Sequence, residues 1–258
     1  MESMRKAVFA LFAAAGIAGP ALAVPITFTG SGTGPGAVPV TASATFDIIG
    51  NNLTITLSNT SPSNSGQDVP GSTLTGLFWD FTGNPTLTPV SATIPSGSSI
   101  IQSGTCSPSP CAGVTNVAGE FGYQATSLPG LADRGIASSG YLTTGLPGNI
   151  GNFNNGAAGT NLDDPVSLDG INFGIVSAAA GFNPNPGEEA SSPLIRDTVV
   201  FVLSGVSGLS NSDISHVSFQ YGTTLTELNI PGMPEPGSLV LFGLALATLG
   251  LIRRRTSS

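Results

Sequence analysis

A strict alternation of apolar and polar residues near the start of the chain constrains its fold more than any other feature. From Val40 to Ile48 every second side chain is apolar, and the same pattern returns from Leu53 to Ser58. A period of two residues places alternate side chains on opposite faces of a β-strand. Between the two segments, Gly50-Asn51-Asn52 supplies residues that tolerate positive φ. The sequence therefore predicts a β-hairpin with one buried face.

The rest of the central chain has the same character. Short segments rich in Thr, Val and Ile are separated by Gly, Pro and Asn, and none shows an apolar stripe of helical period and length. Further predicted strands include residues 74–81, 94–102, 171–176 and 225–230. Together these segments predict an all-β fold, an antiparallel β-sandwich of jelly-roll or immunoglobulin-like topology. Helices are expected only in the two terminal segments.

Charge is distributed unevenly along the chain. Five of the seven basic residues lie near the two ends, and between Val24 and Pro236 only Arg134 and Arg196 stand against fourteen carboxylates. Nucleic-acid binding depends on Lys and Arg that neutralise phosphates, so this composition excludes a nucleic-acid partner. The scattered carboxylates are more typical of a soluble surface than of a cation site.

The first 23 residues have the three regions of a secretory signal peptide. Arg5 and Lys6 precede an apolar run that a Gly-Pro pair interrupts, and small residues follow at Ala21 and Ala23. Small side chains at these two positions fit the signal peptidase site, so cleavage is expected after Ala23. An uncleaved N-terminal anchor is the alternative, but the apolar run is short for a membrane span.

The C-terminal segment, residues 232–258, also has three parts. Pro234-Glu235-Pro236 is followed by an apolar stretch over residues 239–252 and then by Arg253-Arg254-Arg255. Fourteen helical residues rise about 21 Å, which is less than the roughly 30 Å hydrocarbon core. The three arginines stop translocation because positive charge is retained in the cytoplasm. The segment is therefore predicted to hold the protein in the membrane only transiently. The alternative is a C-terminal tail anchor that is never processed.

This C-terminal arrangement resembles the PEP-CTERM sorting signal of bacterial exosortase substrates. The resemblance covers residues 232–258 and rests on three features in the required order, in a chain that also carries a signal peptide. It implies that a membrane-embedded exosortase recognises Pro234, Glu235 and Pro236, cleaves near them and transfers the new end to a surface acceptor. Since proline fixes φ and lacks an N–H, these residues are expected to be extended and accessible.

The two cysteines lie close together in sequence. Cys106 and Cys111 flank Ser107-Pro108-Ser109-Pro110. In an exported chain such a pair is expected to form a disulfide. Here it would crosslink one short loop and stabilise the fold only modestly. A zinc site is disfavoured because two thiols without a nearby histidine do not complete a tetrahedral shell.

Other polar and aromatic residues offer only weak chemical signals. His216 lies in an alternating segment and is expected to be a strand residue rather than a catalytic base. Trp79 could stack on a sugar, but its aromatic neighbours favour a place in the core. Two pairs of adjacent acidic residues could supply the two catalytic carboxylates of a glycosidase. A cluster of oxygen ligands could bind calcium, although its spacing does not match an EF-hand loop. The acidic pairs are Asp163-Asp164 and Glu188-Glu189, and the calcium candidates are Asp163, Asp164 and Asp169.

These patterns favour a non-enzymatic surface or matrix protein without a required cofactor. Residues 24–231 are predicted to form its β-rich extracytoplasmic domain. The protein is expected to be held in the inner membrane as a sorting intermediate. It is then expected to reach the cell surface or the medium of an exopolysaccharide-producing bacterium. Signal peptidase and exosortase are the expected processing partners, and exopolysaccharide is the expected contact outside. One alternative is a carbohydrate-binding adhesin that uses calcium; another is a secreted polysaccharide hydrolase.

Overall fold

A computed structural model describes residues 24–62, 70–101, 114–125, 132–139, 151–152, 171–180 and 193–235. In these ranges helical structure is limited to 3-10 turns of three residues. None of the helices there is long and apolar enough to cross a membrane. The signal helix and the sorting helix predicted from the sequence lie outside the described residues. The all-β prediction is confirmed for the described part of the chain.

The first sheet contains six strands: β1 (Ile26–Gly34), β2 (Val38–Ile49), β3 (Asn52–Asn59), β5 (Thr88–Thr93), β12 (Thr198–Ser204) and β15 (Met233–Pro234). Their order across the sheet is β15-β1-β2-β3-β12-β5, and all of the pairs are antiparallel. The hairpin predicted from the alternation is present, with Ile49 opposite Asn52 and Gly50 at φ +63° in the turn.

The second sheet contains nine strands around β4 (Leu74–Phe81). The other strands are β6 (Ser99–Ile101), β7 (Gly122–Gln124), β8 (Arg134–Ala137), β9 (Gly151–Asn152), β10 (Ile175–Val176), β11 (Leu194–Arg196), β13 (Ile214–Tyr221) and β14 (Asn229–Pro231). Strand β4 pairs antiparallel with both β8 and β13, whereas β10 and β11 form a parallel pair.

The two sheets face each other across one hydrophobic core. Phe46 of the first sheet meets Trp79 of the second with ring centroids 5.9 Å apart. Close approach also requires a small residue in β1, because a Cβ at Gly30 would lie 2.8 Å from the ring of Phe219. The inward side chains of both sheets thus fill one interior, which is the arrangement expected of alternating strands.

Three predicted strands are shorter than the sequence indicates. Of the described residues 94–101 only Ser99–Ile101 is a strand, because the Ser98 amide closes a turn onto the Pro95 carbonyl; residue 102 of the predicted strand lies outside the described residues. Of residues 171–176 only Ile175–Val176 is extended, since the Gly174 amide bonds back to Ile171. Residues 225–230 contribute only the start of β14. In each segment, hydrogen bonds within a local turn take the place of the inter-strand hydrogen bonds that a longer strand would form.

Candidate functional site

The C-terminal tripeptide begins in the edge strand β15. Pro234 lies opposite Phe28 of β1, and the Glu235 amide donates to the Thr27 carbonyl oxygen at 2.8 Å. The side chains of Pro234 and Glu235 are exposed. Proline is tolerated at a sheet edge because its missing N–H removes no ladder bond from the interior. The first two residues of the motif are therefore extended and exposed, and the backbone of Glu235 is bound to β1.

The start of the domain is held by a buried side chain from a distant segment. The Asn211 amide nitrogen donates to the Val24 carbonyl at 2.8 Å, and its oxygen accepts from the Ile48 amide at 2.9 Å. Val24 is the residue that follows the predicted signal cleavage point. Asn211 thus ties the entry of β1 to the end of β2. No local pattern in the sequence marks Asn211 for this role, since its partners Val24 and Ile48 are distant in the chain.

An open cleft of about 510 Å³ lies beside the motif. Pro234 forms part of its wall, and β1, β13 and the segment around β14 supply the rest. Its lining is predominantly apolar, although the Ser218 hydroxyl there is buried and has no hydrogen-bond partner among the described residues. The lining residues are Ile26, Phe28, Ile214, Ser215, His216, Val217, Ser218, Asn229, Pro231, Gly232 and Pro234.

His216 projects at the rim of this cleft. It lies on β13, as the alternation predicts, at an irregularity of the β4–β13 register and with φ +47°. Its side chain is 77% exposed, and Nδ1 lies 2.8 Å from Oδ2 of Asp80. The other oxygen of Asp80 accepts from the Asp133 amide at 2.7 Å. His216 and Asp80 thus form an oriented pair at the surface.

Trp79 lies in the core, which is the interpretation that its aromatic neighbours favoured. Its side chain is fully buried between Phe46 and Tyr123. A sugar cannot stack on a ring that solvent does not reach. The use of Trp79 as a carbohydrate platform is therefore contradicted.

A polar cluster inside the second sheet was missed by sequence reasoning. Arg134 is fully buried, and its guanidinium donates to Asn84 Oδ1 at 2.6 Å and to the Pro85 carbonyl at 3.1 Å. It also lies 5.4 Å from the centre of the Phe81 ring. Burial raises the pKa of the nearby Tyr123 to about 12, and the positive charge of Arg134 opposes that rise. The sequence signal was slight: Arg134 is one of two arginines in a strongly acidic segment.

Tyr123 should make the fold sensitive to alkaline pH. Below pH 10 the phenol is protonated in both states, but above its ordinary pKa of 10.0 it ionises first in the unfolded chain. We expect the free energy of unfolding to fall by up to about 1.4 kcal/mol per pH unit from this group as the pH rises from 10 to 12. Urea titrations across this range, with Tyr123→Phe as the comparison, measure the effect.

The Tyr123→Phe variant should lose stability less steeply over the same range. A residual slope is expected because burial also raises the pKa of Tyr221. Identical slopes in the two proteins would contradict the assignment to Tyr123.

Several sequence-predicted residues lie outside the described ranges. For the part of the chain that is described, no group of three or more His, Cys, Asp or Glu side chains is placed to hold a metal ion. The predictions that lie outside concern signal cleavage, the disulfide, calcium, the acidic pairs, the end of the tripeptide and the arginine cluster: Ala21, Ala23, Cys106, Cys111, Asp163, Asp164, Asp169, Glu188, Glu189, Pro236, Arg253, Arg254 and Arg255.

Comparison with known proteins found no matching family model, no matching curated protein and no matching solved structure.

Proposed function

We propose that this chain is an exported bacterial cell-surface or extracellular-matrix protein. Residues 1–23 direct export, and an exosortase processes the chain at Pro234-Glu235-Pro236. The domain between them is a displayed β-sandwich with a structural or binding role at the exopolysaccharide layer. The membrane holds the protein only as a sorting intermediate.

The observation that carries this proposal is the agreement between the proposed processing points and the outer limits of the first and last described strands. β1 begins at Ile26, three residues after Ala23, and β15 ends at Pro234. Removal of residues 1–23 takes away none of the described strands. Cleavage beyond Glu235 also leaves every described strand and the Glu235–Thr27 hydrogen bond in place. Both cuts are therefore compatible with an intact mature fold.

The two processing points also lie at the same end of one sheet edge. β1 and β15 are antiparallel, so the chain enters β1 where it leaves β15. Val24, held by Asn211, and Glu235, held by Thr27, belong to this end. A domain tethered by both terminal segments would present this one end to the membrane, and the remaining surface would face outward.

Mass spectrometry of the protein recovered from the native cell surface tests the proposal. We expect the mature protein to lack residues 1–23 and residues 239–258. Replacing Glu235 with Gln should cause the unprocessed form to accumulate, because the motif side chain is exposed while the fold depends only on its amide. An intact C-terminus in the mature surface pool would overturn the proposal.

Asp47→Asn provides the matched control. Asp47 lies on β2 of the same sheet, and its replacement removes the same single negative charge without touching the motif. Processing of this variant should equal that of the parent protein. Equal loss of processing in both variants would assign the effect to charge or folding rather than to motif recognition.

A further inference from the structure

Three edge strands of the domain each contain a proline. β5 and β15 are the outer strands of the first sheet, and in the described part of the chain β14 pairs only with β13. Residues 115–117 contact the outer side of β5 near Thr93, but on that side no described strand lies beside residues 88–90. The prolines are Pro89 in β5, Pro231 in β14 and Pro234 in β15. A free edge presents N–H and C=O groups to which another chain can pair.

The nitrogen of Pro234 faces the open side of β15. The amide of Glu235 donates to the Thr27 carbonyl oxygen, and Pro234 is the preceding residue, opposite Phe28. Hydrogen-bonded and non-hydrogen-bonded pairs alternate along an antiparallel ladder, and the backbone groups of a non-hydrogen-bonded pair point away from the partner strand. Most residues at this position would therefore direct an N–H out of the sheet. Proline has no N–H to direct.

Pro231 has the same orientation in β14. The Gly232 amide donates to the Val217 carbonyl oxygen at 2.7 Å, and Pro231 lies one residue earlier, opposite Ser218. Pro231 therefore belongs to a non-hydrogen-bonded pair, and its nitrogen faces away from β13. β14 and β15 follow each other within residues 229–235, so this segment gives each sheet an edge strand with a proline on its open side.

Pro89 completes the pattern at the opposite edge of the first sheet. It lies opposite Leu203 of β12. The Asn59 amide donates to the Asp197 carbonyl oxygen, so Asp197 and every second residue after it, including Leu203, bond toward β3. Pro89 is therefore not bonded to β12, and its nitrogen also faces outward. The register of β5 with β12 shifts between Val202 and Leu203, and such an irregularity further hinders pairing at an edge.

We propose that these three prolines prevent the edges from adding a strand of a second copy of the chain. Proline at an edge costs the sheet no ladder hydrogen bond, yet it removes a donor that an incoming strand needs. The end strands β6 and β9 of the second sheet contain no proline, but they have only three and two residues, and short strands offer few groups for pairing. Pro234 thus has a role in the fold that is separate from sorting, and the inference does not depend on the proposed export and processing.

Sedimentation velocity of the full chain tests the proposal. Parent and variants are compared in the same nonionic detergent, so that the apolar stretch over residues 239–252 contributes equally to each. Pro234→Val and Pro231→Val each restore an outward N–H and supply a side chain that favours strands. We expect each change to strengthen self-association by about tenfold, because contact between two edges gains intermolecular hydrogen bonds. In hydrogen exchange, the amide restored at position 234 should be protected only at concentrations at which the variant associates.

Pro39→Val is the matched control, because Pro39 is also exposed but lies in β2, an interior strand. This variant should sediment like the parent protein. The side chains of Pro231 and Pro234 are exposed, so both edge variants should keep the parent Tm, and loss of folding in both would contradict the outward orientation of these positions. Unchanged sedimentation of both edge variants would overturn the proposal. Equal association of Pro39→Val, or association of Pro234→Val without protection of the restored amide, would overturn it as well.

Discussion

Replacing Trp79 with alanine is expected to lower the free energy of unfolding by about 3–5 kcal/mol. The side chain is fully buried and touches both sheets, with Phe46 on one side and Tyr123 on the other. Truncation removes apolar contacts and leaves a cavity that the two sheets can close only in part. Urea unfolding followed by circular dichroism measures the loss without depending on tryptophan fluorescence.

Two further variants calibrate this result. Trp79→Phe keeps an aromatic ring in the same position and should lose less than the alanine variant. Val90→Ala changes a side chain that is 48% exposed, and its effect should stay within about 0.5 kcal/mol. A Trp79→Ala effect as small as that of Val90→Ala would contradict the central position of Trp79.

Replacing Gly205 with alanine is expected to destabilise the fold by about 2–5 kcal/mol. Gly205 follows β12 with φ +107°, and its amide donates to the Asn51 carbonyl at 3.0 Å. A Cβ at this position would collide with the carbonyl oxygen of Thr86. Since that oxygen belongs to the backbone, relief of the collision requires movement of the segment before β5.

Gly208→Ala separates the energetic cost of the collision from the cost of placing a non-glycine residue at positive φ. Gly208 also has positive φ, +82°, but a Cβ there would meet nothing within 4 Å. Its replacement should cost only about 1–2 kcal/mol, the cost of the conformation itself. The difference between the two variants in urea unfolding measures the contact with Thr86. Equal losses would show that this contact is unimportant.

The sequence predicted those elements whose signal is local. The hairpin of β2 and β3 follows from its alternation and its Gly-Asn turn, and β4 extends over residues 74–81 as predicted. The shortened strands show where this reasoning fails, because the amide of Gly174 finds a partner at Ile171 that no periodicity reveals. The parallel pairing of β10 with β11 was also not predicted, since it joins segments whose alternation is weak.

The candidate sites likewise differ in whether a local sequence signal indicates them. The tripeptide could be proposed as a sorting motif from sequence because the order of Pro234-Glu235-Pro236, the apolar stretch and the arginine cluster is a linear property. The role of Asn211 could not be, since its partners Val24 and Ile48 are distant in the chain. The cluster around Arg134 depends on the register of three strands, and composition alone gave no indication that one of two arginines lies in the core.

The pairing of β1 with β15 and of β3 with β12 has a consequence for the kinetics of folding. Each pairing joins an early segment of the chain to one near its end. Such distant contacts form slowly, because the entropy of closing long loops is lost before the contacts are gained. The first sheet can be completed only when nearly the whole domain is available. Under the proposed export, the first sheet would stay incomplete during delivery and would reach its final order only after the last strand arrives.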